Sequence, residues 1–224
     1  LEDAVALDEK TKARASVTSW LSAAHPVYVR VNGIGTDWFQ DDLETVQCPG
    51  VAGIVLPKTE QKSQLAVLAG YLPDDVRIVP IVETALGIWN ALEIASAPQV
   101  ERLGFGSFDF QLDTNISGEY EELLYARSRL VLASRIAGIL SPLDTITNDL
   151  ENDALLAADV QRARRLGFGG KMCIHPRQIK IINEGFLPTA QEIAWAKTVM
   201  ESSRVEGKGA IRLHGRMVDR PVIE

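Results

Sequence analysis

Short apolar runs rich in β-branched residues recur along the chain, and segments with helical spacing separate them. The runs occupy residues 27–32, 51–58, 77–84, 100–109, 138–145 and 170–176. Between them, side chains recur at helical intervals, as at Ala13, Val17, Trp20, Leu21 and Ala24, and again at Leu123, Leu124, Arg127, Leu130 and Val131. Strands that alternate with helices predict βαβ units and a parallel sheet that is buried on both faces.

Polar or chargeable side chains end nearly every apolar run: Arg30 and Asn32, Lys58, Glu83, Asp109, Asp144 and His175. Parallel α/β folds place their sites at the carboxyl ends of the strands. A charge buried there is costly unless it is paired or bound to a ligand. Any one of these residues could instead cap a helix or face solvent, but six strand ends of this kind predict a functional site at that edge.

The number of repeats bears on the choice between two architectures. Eight βα units close a parallel barrel, whereas the chain shows six. The opening residues LEDAV are typical of the end of a strand that leads into a helix at Asp8. We therefore expect a (β/α)8 TIM barrel whose first strand and helix are missing from the sequence shown. The barrel would span residues 1–206 and a lid or assembly segment residues 207–224; an open doubly wound sheet is the alternative.

Composition narrows the class of protein and its partners. The 224 residues are 46% hydrophobic and 24% charged, as in ordinary globular proteins. The 23 basic and 30 acidic side chains give a net charge of −7 without a basic cluster, so nucleic acid and anionic membranes are not expected partners. No apolar run is long enough to cross a bilayer and no signal peptide is seen. Cys48 and Cys173 are far apart, which favours free thiols in a reducing compartment, with the cytoplasm as the predicted location and an organelle matrix as the alternative.

Glu83 and Asp109 are the sharpest pair of candidate site residues. Both follow apolar strands one βα unit apart, so they should be neighbours at the same edge of the sheet. Two carboxylates in a hydrated cleft suit Mg²⁺, which typically takes one or two carboxylates, keeps several waters and leaves room for a substrate oxygen. The alternative is that each carboxylate caps a helix or loop.

Two cationic residues are further candidates. Arg30 interrupts the apolar run VYVRVN, where a guanidinium either pairs with a buried acid or binds a substrate carboxylate. Lys58 ends the run IVLPK; a Schiff-base lysine is one interpretation, but the nearby metal-type carboxylates favour a structural or polar-network role. Lys58 is also a candidate substrate-binding residue.

Six segments in order resemble the citrate lyase β subunit-like proteins of the HpcH/HpaI aldolase superfamily, and the resemblance covers essentially the whole chain. These segments are LEDAV at 1–5, VRVN at 29–32, LPK at 56–58, ETALGI at 83–88, GKMCIHPRQI at 170–179 and GRMVDRPVIE at 215–224. The resemblance implies an Mg²⁺-dependent (β/α)8 barrel, with Mn²⁺ as a substitute, that assembles as a homotrimer or hexamer. It also implies cleavage or formation of a carbon–carbon bond in a β-hydroxyacyl coenzyme A thioester.

The same resemblance implies roles for individual residues. Glu83 and Asp109 would be the metal ligands, and Arg30 would contact the oxo-acid carboxylate or the developing enolate. Glu2 and Asp3 would hold metal-bound waters, Ile174, His175 and Pro176 would line the coenzyme A side, and Asp219 would be an acid/base that a lid brings to a neighbouring subunit. Phe108 departs from the family, whose members usually carry an acidic residue at that position.

The resemblance implies a carbon–carbon lyase (an oxo-acid-lyase) for malyl-CoA, citramalyl-CoA or citryl-CoA. The chemistry is consistent with this reaction, because Mg²⁺ and Arg30 together would stabilise the charge that develops during cleavage. The alternatives are a citrate lyase β subunit that takes its thioester from an acyl carrier protein, a pyruvate aldolase without a thioester, and a non-catalytic thioester-binding regulator. For Asp219, the alternative is an assembly hairpin in which its carboxylate forms an ion pair.

Overall fold

The six predicted strand segments form one parallel sheet in the computed structural model, which describes residues 1–206, 210–213 and 215–219. The strands are β1 (Val27–Arg30), β2 (Val51–Leu56), β3 (Arg77–Val82), β4 (Gly104–Phe105), β5 (Leu143–Asp144) and β6 (Gly170–Lys171). Each strand pairs with the next one along the chain in parallel register. A doubly wound sheet reverses its strand order, so this sequential order makes that alternative wrong.

One helix precedes the first parallel strand, and the others connect the strands or follow the last of them. They are α1 (Lys10–Trp20), α2 (Phe39–Val46), α3 (Lys62–Ala69), α4 (Ala85–Trp89), α5 (Ala91–Ala95), α6 (Ser107–Thr114), α7 (Leu124–Ala137), α8 (Asp153–Leu166), α9 (Gln178–Phe186) and α10 (Ala190–Glu206). Single 3₁₀ turns at Leu7–Glu9 and Glu121–Leu123 precede α1 and α7. Gly138 and Gly167 end α7 and α8 in the left-handed conformation (φ 73° and 96°), which glycine adopts without a Cβ clash.

The two faces of the sheet have different surroundings. Ile54, Leu56, Ile78 and Leu103 belong to a core that also includes buried residues of the helices. Burial of each such side chain contributes roughly 1.5–3 kcal/mol relative to exposure. On the opposite face, Val55 and Ile81 line a cavity. The sheet therefore curls around a cavity on its inner face, while closure into an eight-stranded barrel stays a prediction.

Two of the elements predicted from the sequence differ from those in the structure. Residues 1–5 form a turn, in which the Val5 N–H donates to the Glu2 carbonyl at 2.9 Å, rather than the end of a strand. The Leu1 nitrogen makes one ladder-like bond to the Arg30 carbonyl at 2.8 Å, so this segment lies beside β1. The helical spacing predicted from Ala13 to Ala24 is also wrong at its end. The helix α1 stops at Trp20, and the Trp20 side chain is 65% exposed.

A short antiparallel hairpin, β7 (Ile211–Leu213) and β8 (Arg216–Val218), follows α10. It falls within the segment predicted as a lid or assembly element; residues 207–209, 214 and 220–224 of that segment lie outside the described residues. The hairpin matches the assembly-hairpin alternative in its secondary structure, and its action as a lid stays a prediction. In the part of the chain that the structure describes, none of the helices has the length and apolarity needed to span a bilayer.

Candidate active site

A cavity of about 740 Å³ opens at the carboxyl ends of the strands. It brings together the predicted residues Asp3, Arg30, Glu83, Asp109 and Ile174. Its other lining residues are Ala4, Val55, Ile81, Gly106, Phe108, Thr145, Ile146, Lys171, Met172 and Cys173. The site predicted at this edge of the sheet thus coincides with a cavity that several polar side chains line.

Glu83 is the buried carboxylate of this cavity. It follows β3 directly, is 6% exposed, and its Oε1 accepts a hydrogen bond from the Lys58 backbone N–H at 2.7 Å. Burial, together with the nearby carboxylates of Asp109 and Glu2, raises the pKa of Glu83 to about 7, while the hydrogen bond from the Lys58 N–H opposes the increase. Thr84 caps α4, with its hydroxyl accepting from the Gly87 N–H, so Glu83 is not a helix cap.

Space for the Glu83 carboxylate exists because residue 106 is glycine. A Cβ on Gly106 would lie 2.2 Å from Glu83 Oε2 and 2.7 Å from Glu83 Cβ, which no side chain tolerates. The structure shows a close approach of the Gly106 backbone to the Glu83 side chain. Gly106 thereby lets Glu83, which follows β3, and Asp109, which belongs to α6, face one cavity.

Asp109 lies in the first turn of α6 rather than at the end of a strand, because β4 stops at Phe105 and the helix begins at Ser107. Its Oδ1 lies 3.4 Å from the Lys58 ammonium, and its side chain is 34% exposed. A carboxylate in a first turn also benefits from the positive end of the helix dipole. The alternative of a loop cap is wrong, since Asp109 is inside the helix, three residues after its N-cap.

Lys58 joins the two carboxylates, through its backbone N–H to Glu83 and its ammonium to Asp109. Desolvation lowers the pKa of Lys58, but the carboxylates of Asp109, Asp3 and Glu83 together raise it above its ordinary value. Its φ of 50° is in the left-handed region, which is uncommon outside glycine and costs about 1 kcal/mol or more. The charged, half-exposed ammonium fits the predicted polar-network role and not a Schiff-base nucleophile.

Arg30 is held by Glu2, with Nε 3.1 Å from Glu2 Oε2. Arg30 is exposed toward the cavity, whereas Glu2 is 8% exposed, and burial raises the pKa of Glu2. The buried Lys10 ammonium in turn bonds the carbonyls of Leu1 and Glu2 and the Oδ1 of Asn32, at 2.8–3.1 Å. Glu2 thus orients the Arg30 guanidinium in this structure, while its predicted contact with metal-bound water stays a prediction.

The donor set fits Mg²⁺. No group of three or more acidic, imidazole or thiol side chains converges as a metal site among the residues the structure describes. Mg²⁺ does not need such a group, because it commonly binds one or two carboxylates and retains waters. Glu83 and Asp109 supply two carboxylates at one cavity, and burial raises the pKa of Glu83, so its charge is costly in the protein without a bound cation.

The segment predicted to line the coenzyme A side is only partly at the cavity. Ile174 lines it and is 49% exposed, and Gln178 fixes the loop by accepting from the Ile174 N–H at 3.0 Å. His175 and Pro176 are exposed beyond the cavity lining. Phe108, the departure from the family pattern, is 41% exposed and forms part of the cavity wall beside Asp109.

Asp219 is half-buried and directly follows β8, and it does not line the cavity of this single chain. The structure therefore does not bring it together with Glu83 and Asp109. Its predicted role requires a second subunit, and it stays a prediction.

Sequence reasoning missed two residues of the site region, Thr145 and Lys171. Both line the cavity, and the Lys171 ammonium donates to the Thr145 carbonyl at 2.5 Å. Burial lowers the pKa of Lys171, and the carboxylates of Asp144 and Asp159 oppose that effect. The sequence signal that could have identified Lys171 is its position in GGKMC. Lys171 is the last residue of β6, and Glu83 similarly lies directly after the end of β3.

Comparisons with known proteins place this geometry in a family. The sequence profile of the HpcH/HpaI aldolase/citrate lyase family matches residues 1–176. The chain belongs to this family. Across its full length it is 37% identical to the citrate lyase subunit beta of Escherichia coli, over 80% of that protein.

Two further family relatives carry different functional names. A (3S)-malyl-CoA thioesterase of Cereibacter sphaeroides is 33% identical over 98% of the chain and 79% of that protein. The crystal structure of protein CitE from Mycobacterium tuberculosis, in complex with magnesium, acetoacetate and coenzyme A, superposes with a TM-score of 0.88. It is 30% identical, and the match covers all of this chain and 84% of that one. The predicted family is thus confirmed, together with an α/β fold of the same kind.

Proposed function

We propose that this protein is an Mg²⁺-dependent carbon–carbon lyase that cleaves a 2-hydroxy-acid coenzyme A thioester of the malyl, citramalyl or citryl type. The products would be acetyl-CoA and a 2-oxo acid. The observation that carries the proposal is the cavity in which Glu83 and Asp109 face the guanidinium of Arg30 in a citrate lyase-family fold. The magnesium and coenzyme A of the M. tuberculosis relative support the choice of cofactor and substrate class.

The proposed reaction needs charge stabilisation, from the metal ligands and Arg30, and proton transfer, from a separate acid/base. Bound by Glu83 and Asp109, Mg²⁺ would supply Lewis-acid polarisation of the substrate oxygens. Arg30 binds the carboxylate next to the reacting carbon, and its charge offsets the one that develops there. A base removes the hydroxyl proton, the carbon–carbon bond breaks, and its electron pair forms the thioester enolate. An acid then protonates that enolate to give acetyl-CoA.

Asp219 is the proposed acid/base for these proton transfers, supplied by a neighbouring subunit of a homotrimer or hexamer. Its position outside the cavity of its own chain supports an action in trans. Exclusion of water by the hairpin would protect the enolate. Asp219→Asn is expected to abolish thioester cleavage while Mn²⁺ binding remains unchanged. Unchanged turnover would remove Asp219 from the reaction.

The proposal is tested with purified protein, Mg²⁺ and separate malyl-, citramalyl- and citryl-CoA, by chromatographic detection of acetyl-CoA together with the 2-oxo acid. We expect cleavage of at least one thioester, loss of cleavage with EDTA, and recovery with Mg²⁺ or Mn²⁺. Arg30→Lys is a matched variant that keeps the charge but removes the planar fork, and it should raise KM for the thioester. Failure to form acetyl-CoA from any of the three substrates would refute the lyase.

The malyl-CoA thioesterase among the relatives favours hydrolysis as a second candidate reaction. The same assay separates the two reactions, because hydrolysis releases free coenzyme A and a hydroxy acid, whereas the lyase keeps the thioester bond.

The E. coli relative favours a third variant, the β subunit of a citrate lyase with a carrier-bound citryl thioester. Cleavage that requires an acyl carrier protein would support that variant, and thioester binding without turnover would indicate a regulator.

A further inference from the structure

Thr145, directly after β5, is held at both ends of its backbone by buried charged side chains. Its N–H donates to Asp144 Oδ1 at 2.9 Å, and its carbonyl accepts from the Lys171 ammonium at 2.5 Å. Thr145 itself is 6% exposed, Asp144 0% and Lys171 7%. A residue whose N–H and carbonyl are both bonded to buried ionic groups has little freedom to move.

The charged groups that hold Thr145 are fixed in turn by an ion pair. The Arg127 guanidinium reaches from α7 to Asp144, with Nε 3.0 Å from Oδ1 and 3.3 Å from Oδ2. Arg127 is 1% exposed, and its Nη1 also donates to the Glu119 carbonyl at 2.8 Å. Removing such charges from water costs several kcal/mol per ion, so stability alone is a weak reason for a buried ionic group of this size.

The hydroxyl of Thr145 is the group that this arrangement presents to the active site. Its Oγ1 lies 2.8 Å from Ser107 Oγ and accepts from the Ser107 N–H at 3.2 Å. Ser107 is the first residue of α6, where backbone N–H groups have no partner within the helix. Asp109 lies two residues further on, in the same turn. The Thr145 hydroxyl therefore fixes the turn that carries one of the two carboxylates.

We propose that Thr145 is a positioning residue for the metal site, which fixes the first turn of α6 and with it the direction of the Asp109 carboxylate. Arg127, Asp144 and Lys171 keep Thr145 in place for this purpose. The proposal rests on the proposed metal-dependent function. Groups that orient metal ligands typically change metal affinity by roughly 10–100-fold when they are removed.

The test compares Thr145→Val with Thr145→Ser, because valine keeps the shape and loses the hydroxyl, whereas serine keeps the hydroxyl. Thr147→Val is the matched control: Thr147 is also buried and bonds Asp159 at 2.6 Å, but it has no bond to α6. Binding of Mn²⁺ in the absence of substrate is measured by the loss of the free-ion electron paramagnetic resonance signal. We expect about tenfold weaker binding for Thr145→Val and less than twofold change for the other two variants.

A second measurement does not depend on any metal. Hydrogen–deuterium exchange of metal-free protein should show faster exchange in the first turn of α6 for Thr145→Val, and wild-type exchange there for Thr145→Ser and Thr147→Val. Equal Mn²⁺ affinity and equal exchange for Thr145→Val would overturn the positioning role, as would an equal loss of affinity in Thr147→Val. A wild-type protein that binds no Mn²⁺ would refute the metal-dependent function itself, and this proposal with it.

Discussion

Replacement of Glu83 by glutamine removes a carboxylate whose charge is costly in the metal-free protein. Burial raises the pKa of Glu83 from its ordinary value of 4.5 to about 7. Between these two values the folded protein binds more protons than the unfolded chain, so the stability of the wild type falls as pH rises. The stabilising protonation of Glu83 is fully present below pH 4.5 and lost as pH rises through 7. Glutamine stays neutral at every pH and can still accept the Lys58 bond.

The size of the effect follows from the difference in pKa. Each pKa unit corresponds to about 1.4 kcal/mol, so the full difference is about 3 kcal/mol. Since part of the titration lies outside an accessible pH range, the expected change between pH 5 and pH 8 is about 2.5 kcal/mol. Over that interval the Glu83→Gln variant should become more stable than the wild type by this amount.

Urea unfolding at pH 5 and pH 8, with EDTA and then with saturating Mg²⁺, measures this difference. At pH 8, Mg²⁺ should restore the stability of the wild type and leave Glu83→Gln unchanged, since the variant has lost one of two carboxylate ligands; the variant should also lose its lyase activity. Glu93→Gln, at an exposed position of α5, should follow the wild type throughout. Parallel pH profiles for Glu83→Gln and the wild type would refute the buried-charge argument, and Mg²⁺ stabilisation of Glu83→Gln would remove Glu83 from the metal site.

Three further substitutions test other contacts. Gly106→Ala places a methyl group 2.2 Å from Glu83 Oε2, so Mn²⁺ affinity measured by calorimetry should fall at least about tenfold, and wild-type affinity would contradict the steric argument. Lys58→Met removes an ammonium 3.4 Å from Asp109 that repels a divalent cation, so Mn²⁺ should bind several-fold more tightly; weaker binding would show that Lys58 supports the metal instead. Arg127→Met leaves the buried Asp144 carboxylate without its partner and should cost about 3–5 kcal/mol in urea unfolding, whereas a cost under about 1 kcal/mol would contradict a stabilising role of this ion pair.

The sequence was sufficient to locate the six strands and the edge at which the site lies. Alternation of β-branched runs with helical segments identifies βαβ units, and parallel strands have their carboxyl ends on one side. Glu83 and Arg30 were predicted as candidates for that reason, and both line the cavity. The strands themselves are shorter than the apolar runs; β4 is only Gly104–Phe105 within the run 100–109. A strand ends where its ladder bonds end, and hydropathy does not record that point.

The errors and omissions share a physical cause. Asp109 was placed at a strand end because GFGSFDF has no clear helix start, and its N-cap, Gly106, carries no side chain to signal one. The partnership of Arg127 with Asp144 and the bond from Lys171 to Thr145 join residues that are distant in sequence. Such contacts depend on how helices pack against the sheet, which periodicity alone does not determine. The sequence analysis therefore named Arg127 and Asp144 without their pairing, and it missed Thr145 and Lys171.

The distribution of charge explains why the metal, rather than another side chain, is the expected partner of Glu83. Glu2 pairs with Arg30, and Asp109 pairs with Lys58. Within the described residues Glu83 has no ion pair and is bonded by a neutral backbone N–H. A carboxylate in this position is close to half protonated near pH 7, the pKa that burial gives it. A divalent cation must displace that proton, so metal affinity should increase as pH rises toward and through 7. Arg30 and Lys58 therefore neutralise the charges of Glu2 and Asp109. Among these carboxylates, that of Glu83 is the remaining one, and we expect the metal ion to neutralise it.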